Sequence, residues 1–201
     1  QLITEDGKVI GFQAVSRDVT ERRRLEKELK ESEERYRELS IIDDLTQLYN
    51  SRHFYSQLQM ELGRIERREY PLTLLLLDID DFKVFNDTYG HIEGDRVLVR
   101  LGQVIKKCLR KEDSAYRYGG EEFTIILPMT TKEEGAVTAE RVREELRKEN
   151  FSSVPDKEIY LTVSIGLAQY EKNESIKSFV NRVDHFMYRS KKNGKDRVYF
   201  E

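Results

Sequence analysis

The chain has 201 residues, of which 38% are hydrophobic and 36% charged, with a formal net charge of −3 and a single cysteine. So balanced a charge supplies no broad basic field and argues against a nucleic-acid duplex as partner. The lone Cys108 rules out an internal disulfide and a cysteine-built zinc site, and suits a reducing cytoplasm.

No apolar run approaches the ~20 residues that span a bilayer, and no signal peptide is visible, so no membrane contact is expected of these residues. The sequence opens on Gln1 in mid-pattern, as expected of a fragment of a longer protein whose remainder could still be membrane-anchored.

In chain order, residues 1–20 contain "LITEDGKVIGF", two short apolar stretches about an Asp6-Gly7 turn, which predicts a β-hairpin too small to bury a core of its own. Residues 21–40, "ERRRLEKELKESEERYRELS", hold no Gly or Pro and predict a helix. Leu25, Leu29, Ser32, Tyr36 and Leu39 repeat at the heptad spacing of a coiled-coil seam. A parallel dimerising linker is the favoured reading; a solvated helix lying on its own domain is the other.

Residues 41–201 alternate helix and strand signals: a helix at "SRHFYSQLQMELGRIERRE", a buried strand at "LTLLLLDID", and a helix at "GDRVLVRLGQVIKKCLRKE". A Gly-Gly hairpin at "RYGGEEFTIILP" follows, then the helix "KEEGAVTAERVREELRKE", the strand "IYLTVSIGLAQY", the helix "SIKSFVNRVDHFMYRSKKN" and the strand "DRVYFE". This predicts an α/β fold, an α+β sandwich whose sheet of about five strands is mixed because one connection is a tight hairpin.

The chemistry gathers where acids follow apolar residues. Asp78 and Asp80 emerge from the buried strand, and one of Asp80 or Asp81 can be explained as a helix cap. Asp78 cannot, since it stands against an apolar run where an unpaired carboxylate is costly. In the hairpin, Gly119 and Gly120 are expected to form the turn, with Glu121 and Glu122 opening the returning strand. If the hairpin lies beside the strand, Asp78, Asp80, Glu121 and Glu122 converge. Their mutual repulsion then calls for a cation, and an all-oxygen set points to Mg²⁺ or Mn²⁺ with phosphate completing the coordination. Glycines without Cβ atoms let backbone approach a phosphate or base closely.

These residues resemble the GGDEF domain of bacterial diguanylate cyclases. The likeness covers nearly all of residues 41–201 through "DDLTQLYN", "LDIDDFKVFNDTYGHIEGD", "RYGGEEF", "TVSIGLA" and "DHFMYRSKKNGKDRV", in order and at family-like spacing. It implies a palm-like nucleotidyl cyclase fold that condenses two GTP into cyclic di-GMP and two pyrophosphates across a homodimer of such domains. It implies metal ligation by Asp78, the carbonyl of Ile79 and Glu121, with Glu122 either deprotonating the 3′-hydroxyl or binding a second metal. Asn86 and Asp95 would hold guanine, Phe82 and Lys83 the phosphates near the strand end, and Lys191 and Lys195 the β- and γ-phosphates. Lys195 stands where the family more often has Arg, which keeps the charge but loses the bidentate fork. Ser51 replaces a frequent Arg.

From the residues alone, "RKED" reads as a helix C-terminus with a cation near its dipole and an exposed acid; by their placement before "GGEEF", Arg110 and Asp113 match the family's inhibitory RxxD site for the product, with Arg141 as its secondary arginine. "GFQAVSRDVTERRRLEKEL" resembles the end of a PAS sensory domain and its signalling helix. Two other functions stay open: a catalytically silent cyclic di-GMP receptor, and a cyclase that uses ATP.

Overall fold

The computed structural model describes residues 2–6, 8–12, 23–25, 27, 40–152 and 158–201. The chain divides into two compact units, Gln1–Ser40 and Ile41–Glu201. In the first, β1 (Leu2–Glu5) and β2 (Lys8–Phe12) pair antiparallel about Asp6, whose φ is +48°. Residues 23–25 and 27 are helical. The remaining seam positions Leu29, Ser32, Tyr36 and Leu39, and most of the PAS-like stretch, lie outside the described residues.

The second unit is built on a mixed sheet. Its strands are β3 (Tyr49–Asn50), β4 (Leu72–Ile79), β5 (Ser114–Gly119), β6 (Glu122–Pro128), β7 (Val163–Gln169) and β8 (Arg197–Tyr199), in the spatial order β3-β5-β6-β4-β7-β8. The two outer pairs are parallel and the inner pairs antiparallel. The six strands among the described residues agree with the expected mixed sheet of about five; the addition is β3, an edge of two residues too short to carry any periodic signal. Among the described residues, five helices cover the sheet: α1 (Ser51–Arg68), α2 (Phe82–Tyr89), α3 (His91–Cys108), α4 (Lys132–Arg147) and α5 (Ile176–Lys192). Asn50, Thr131 and Ser175 cap α1, α4 and α5 through their side chains, Thr131 as part of a capping box with Glu134.

Every residue of β4 is buried, since helices lie on both faces of the sheet. Leu75, Leu77 and Ile79 pack with Val97, Leu101, Val104 and Ile105 of α3 and with Val142 and Leu146 of α4. Leu72, Leu74 and Leu76 pack on the other side with Phe54 and Leu58 of α1 and with Phe179, Val183, Phe186 and Met187 of α5. Strand parity therefore assigns Asp78 to the α1/α5 face. Asp78 is paired across the ladders with Glu122 on β6 and Ser164 on β7, so those residues share its face. No helix among the described residues is long and apolar enough to cross a membrane.

Candidate active site

At the end of the sheet where β4 stops, Asp78 is 6% exposed and Lys191, from the last turn of α5, places its Nζ 2.7 Å from Asp78 Oδ1. The contact is a charge pair rather than an aligned hydrogen bond, for Oδ1 has no hydrogen-bonding donor. Burial, opposed by Lys191 and reinforced by Asp80 and Asp184, holds the Asp78 carboxyl above the ordinary carboxylate range. Glu121 is raised by burial and by the Asp78 charge, and Glu122 by burial, by Asp78 and by Asp184. Lys191 opposes the shift in all three cases. Three of the four acids expected to converge, Asp78, Glu121 and Glu122, thus bear on one another's charge, and one ammonium opposes the shift of each.

Asp80 does not join it. Its two oxygens accept from Thr162 Oγ1 and Ser164 Oγ at 2.6 Å each, and from the Asp196 backbone N–H at 3.0 Å. Asp80 lies one residue beyond β4, where pleat alternation no longer governs its direction, and it serves as a structural tie. Asp81 occupies the cap position of α2 with φ +57° but makes no side-chain cap bond; instead it receives Lys195 Nζ at 2.6 Å.

The hairpin is shifted by one residue from the sequence-based frame. Gly119 ends β5 opposite Glu122, so the turn is Gly120-Glu121, with positive φ (+47°) at Gly120. A bulge at Tyr118 causes the shift, because it adds a residue to β5 between the Arg117–Phe123 and Gly119–Glu122 pairs. Glu121 consequently sits at the tip of the turn and not in the ladder. A Cβ on Gly119 or Gly120 would meet nothing within 4 Å, which leaves open space beside the carboxylates.

Arg117, which sequence reasoning passed over, fastens this turn. Its Nε and Nη2 donate to Gly120 O at 3.1 and 3.0 Å, and its Nη1 lies 3.3 Å from Asp43 Oδ2 of "DDLTQLYN". Its position just before the glycines was the available signal. Asp184 was also missed, and nothing local distinguishes it from any exposed helical acid.

Phe82 and Phe85 of α2 are buried and stacked, with ring centroids 6.4 Å apart, while Lys83 is exposed on the same helix. Asn86 lies within α2 and Asp95 in the second turn of α3, which begins at His91 rather than at Gly94. Neither is a cap. Asn86 Oδ1 is buried without a hydrogen-bond partner, and a Cβ on Gly94 would stand 1.9 Å from it. Gly94 is therefore what makes room for the amide.

Arg110 and Asp113 lie beyond the end of α3 in a turn, not within a helix C-terminus: the Arg110 N–H donates to Asp113 Oδ2 at 2.8 Å, and Asp113 N to Arg110 O at 3.3 Å. Arg141 Nη2 donates to Cys108 O at 2.5 Å, and its charge bears on Asp113, whose carboxyl is raised chiefly by burial. The three residues thus share one neighbourhood, where Arg110 and Asp113 border a recess of about 290 Å³ together with Ile42, Tyr49 and Lys106.

Among the described residues no three His, Cys, Asp or Glu side chains are placed to hold a metal among themselves. A cation at this end of the sheet would rest on Asp78, Glu121 and backbone carbonyl, with the rest of its shell from ligand phosphate and water, which is how Mg²⁺ is ordinarily held. The residues fit: Asp78 Oδ1 lacks an aligned donor, and a positive charge already stands beside it.

Residues 40–197 match the family model described as "Diguanylate cyclase, GGDEF domain". Diguanylate cyclase DgcM of Escherichia coli (strain K12) is 40% identical over 185 residues, which is 90% of this chain and 42% of that protein. Diguanylate cyclase A of Treponema denticola is 40% identical over 166 residues, 80% of this chain and 44% of that protein. The chain therefore spans less than half the length of these curated relatives. The crystal structure of the coiled coil and GGDEF domain of DgcB from Caulobacter crescentus, in complex with c-di-GMP, aligns with a TM-score of 0.77 at 33% identity, covering 90% of this chain and 96% of that one.

Proposed function

The chain belongs to the GGDEF diguanylate cyclase family, and from that premise we propose that residues 41–201 form one half of an active site that binds a single GTP and, facing a second copy, condenses two GTP into cyclic di-GMP and two pyrophosphates. The observation that carries this reading is the cluster of Asp78, Glu121 and Glu122 around Lys191, beside a turn whose glycines leave space for a nucleotide. Asn86 and Asp95 hold the guanine, Phe82 and Lys83 the phosphates nearest α2, and Lys191 and Lys195 the β- and γ-phosphates.

Asp78, the Ile79 carbonyl and Glu121 would hold Mg²⁺ or Mn²⁺, which when bound supplies positive charge to the reacting phosphates. The 3′-oxygen of one GTP attacks the α-phosphorus of the other, and the bond to the bridging α–β oxygen breaks to release pyrophosphate. Glu122 accepts the 3′-hydroxyl proton, a role suited to a carboxylate whose basicity is raised by burial and by Asp78. For Lys191 and Lys195 to reach phosphate, each leaves an aspartate, Asp78 and Asp81 respectively.

Residues 21–40 would join two copies as a coiled-coil linker and raise the effective concentration of the second half-site. Residues 1–20 would be the end of a PAS-like sensor that regulates it, with the catalytic unit in the cytoplasm. Incubation with GTP and Mg²⁺ at high protein concentration, followed by chromatography, should give cyclic di-GMP and pyrophosphate. A protein that binds cyclic di-GMP yet forms none would be a silent receptor instead.

Two expectations extend this reading. Gly94→Ala forces Asn86 from its place and should weaken GTP binding by about tenfold, a loss typical of a disturbed polar recognition contact; unchanged affinity by calorimetry would remove Asn86 from the base site. Arg110, Asp113 and Arg141 are proposed to bind the product as a feedback site. Arg110→Ala should raise the concentration of cyclic di-GMP needed for half-inhibition by about tenfold, the scale of one lost charge-assisted pair. An inhibition curve that superposes on the wild type would count against that site.

A further inference from the structure

The loop that carries Lys195 from α5 to β8 passes through three successive residues with positive φ: Gly194 (+110°), Lys195 (+60°) and Asp196 (+45°). Glycine adopts this region freely, but lysine and aspartate do so at a cost of order 1 kcal/mol each and only where surrounding contacts impose it. Besides Arg197 Nε of β8, which donates to Lys195 O at 3.1 Å, those contacts come from three directions. Lys195 N donates to Ser190 O at 3.1 Å, which closes the loop on α5. Asp196 N donates to the buried Asp80 Oδ2 at 3.0 Å, which ties the loop to the end of β4.

The third direction is α4. Arg143 Nη1 donates to Asp196 Oδ1 at 2.8 Å and to Asp196 O at 3.4 Å, while Arg147 Nη1 lies 3.4 Å from Asp196 Oδ2. Two arginines one helical turn apart thus grip both carboxylate oxygens of one strained residue. The Arg143 side chain is only 14% exposed and is itself braced, its Nε donating to Glu140 Oε2 at 2.7 Å. A surface ion pair would contribute little. A largely buried guanidinium that bonds both the carboxylate and the carbonyl of a residue in the left-handed region restrains that residue's backbone directly.

We infer that Arg143, acting through Asp196, is a positioning residue for the triphosphate loop: it holds the backbone in the conformation that presents Lys195 to the terminal phosphates. This rests on the assignment of Lys195 to those phosphates. Asp80 restrains the N–H of Asp196 but cannot orient its carboxylate or carbonyl. Without α4 the loop would relax toward ordinary φ values and carry the Lys195 ammonium away.

The test is equilibrium binding of a non-hydrolysable GTP analogue with Mg²⁺ to Arg143→Ala, Arg143→Lys, Lys195→Ala and the Arg143→Ala/Lys195→Ala double variant, each with its melting temperature recorded. Arg143→Ala should weaken binding by about tenfold, as expected for a misplaced binding group. Arg143→Lys, which keeps a charge near Asp196 but not the guanidinium's set of bonds, should recover only part of that loss. The double variant should bind no more weakly than Lys195→Ala alone, because Arg143 has nothing to position once Lys195 is gone. If Lys195→Ala weakens binding while Arg143→Ala does not, or if the two losses multiply, the positioning role is overturned and the assignment of Lys195 stands. If Lys195→Ala binds like the wild type, the assignment of Lys195 itself falls, and the inference with it.

Discussion

Glu121→Ala is expected to lower the rate of cyclic di-GMP formation by about a thousandfold or more, equivalent to roughly 4 kcal/mol of transition-state stabilisation. The size of the effect follows from how few groups the site has. No trio of His, Cys, Asp or Glu is placed to hold a cation among the described residues, so removing Glu121 leaves Asp78 as the only carboxylate of the proposed ligand set. Asp78 is moreover paired with Lys191 at 2.7 Å, and a cation must compete with that ammonium for it. Burial and the neighbouring charge already hold Glu121 above its usual range, so its ionised form is under-compensated in the protein alone and gains most from a cation. Glu121→Gln should behave similarly, because an amide keeps the shape but not the charge. Mn²⁺ binding in the presence of a GTP analogue, followed by its electron spin resonance signal, should weaken in parallel with the rate. A variant that retains even a tenth of wild-type turnover with normal Mn²⁺ binding would sink the ligand role.

The second large effect concerns a residue that touches no substrate. Gly166, in "TVSIGLA", faces α5, and a Cβ there would stand 2.1 Å from Met187 N, 2.4 Å from Val183 O and 2.8 Å from Met187 Cα. All three are backbone atoms of a helix packed on the sheet and cannot yield as a flexible side chain would. Gly166→Ala should therefore cost about 3 kcal/mol of stability, at the upper end for an overpacked core position, and show as a markedly lower melting temperature. It should also impair function in whatever fraction remains folded. Lys191 follows Met187 by one helical turn, so a helix pushed off β7 takes that ammonium away from Asp78. Nucleotide affinity measured well below the melting temperature should fall alongside stability. A melting temperature within a degree of wild type would show that α5 does not need this close approach.

Much of the architecture could be read from residue order because its signals are local. A short apolar run of leucines bounded by a proline and acids reads as a strand covered on both faces, and Asp78 at its end is a charge that burial makes conspicuous. Two glycines before two glutamates announce a turn with chemistry beside it. The errors fall where the signal is not local. The turn frame slipped by one because the bulge at Tyr118 depends on how β5 pairs with β6. Asp80 looked equivalent to Asp78 by alternation, yet its partners Thr162, Ser164 and Asp196 are more than 80 residues away along the chain. The short edge strand β3 forms because Tyr116 and Arg117 on one side, and Ile42 on the other, offer it partners.

By itself, then, the sequence determined the order of the longer strands and helices, the buried central strand and the candidate acids, since apolar periodicity and turn chemistry act over a few residues; it did not show β3 or the two-turn helix α2. Tertiary structure decided which of those acids share a face, that Lys191 is their common counter-charge, that Arg117 fastens the turn, and that α4 reaches across to hold the loop of Lys195. The reason is that charge pairing and backbone restraint act through space. A carboxylate beside a lysine 113 positions away, 2.7 Å from its nitrogen, has no trace in the pattern of its neighbours in the chain.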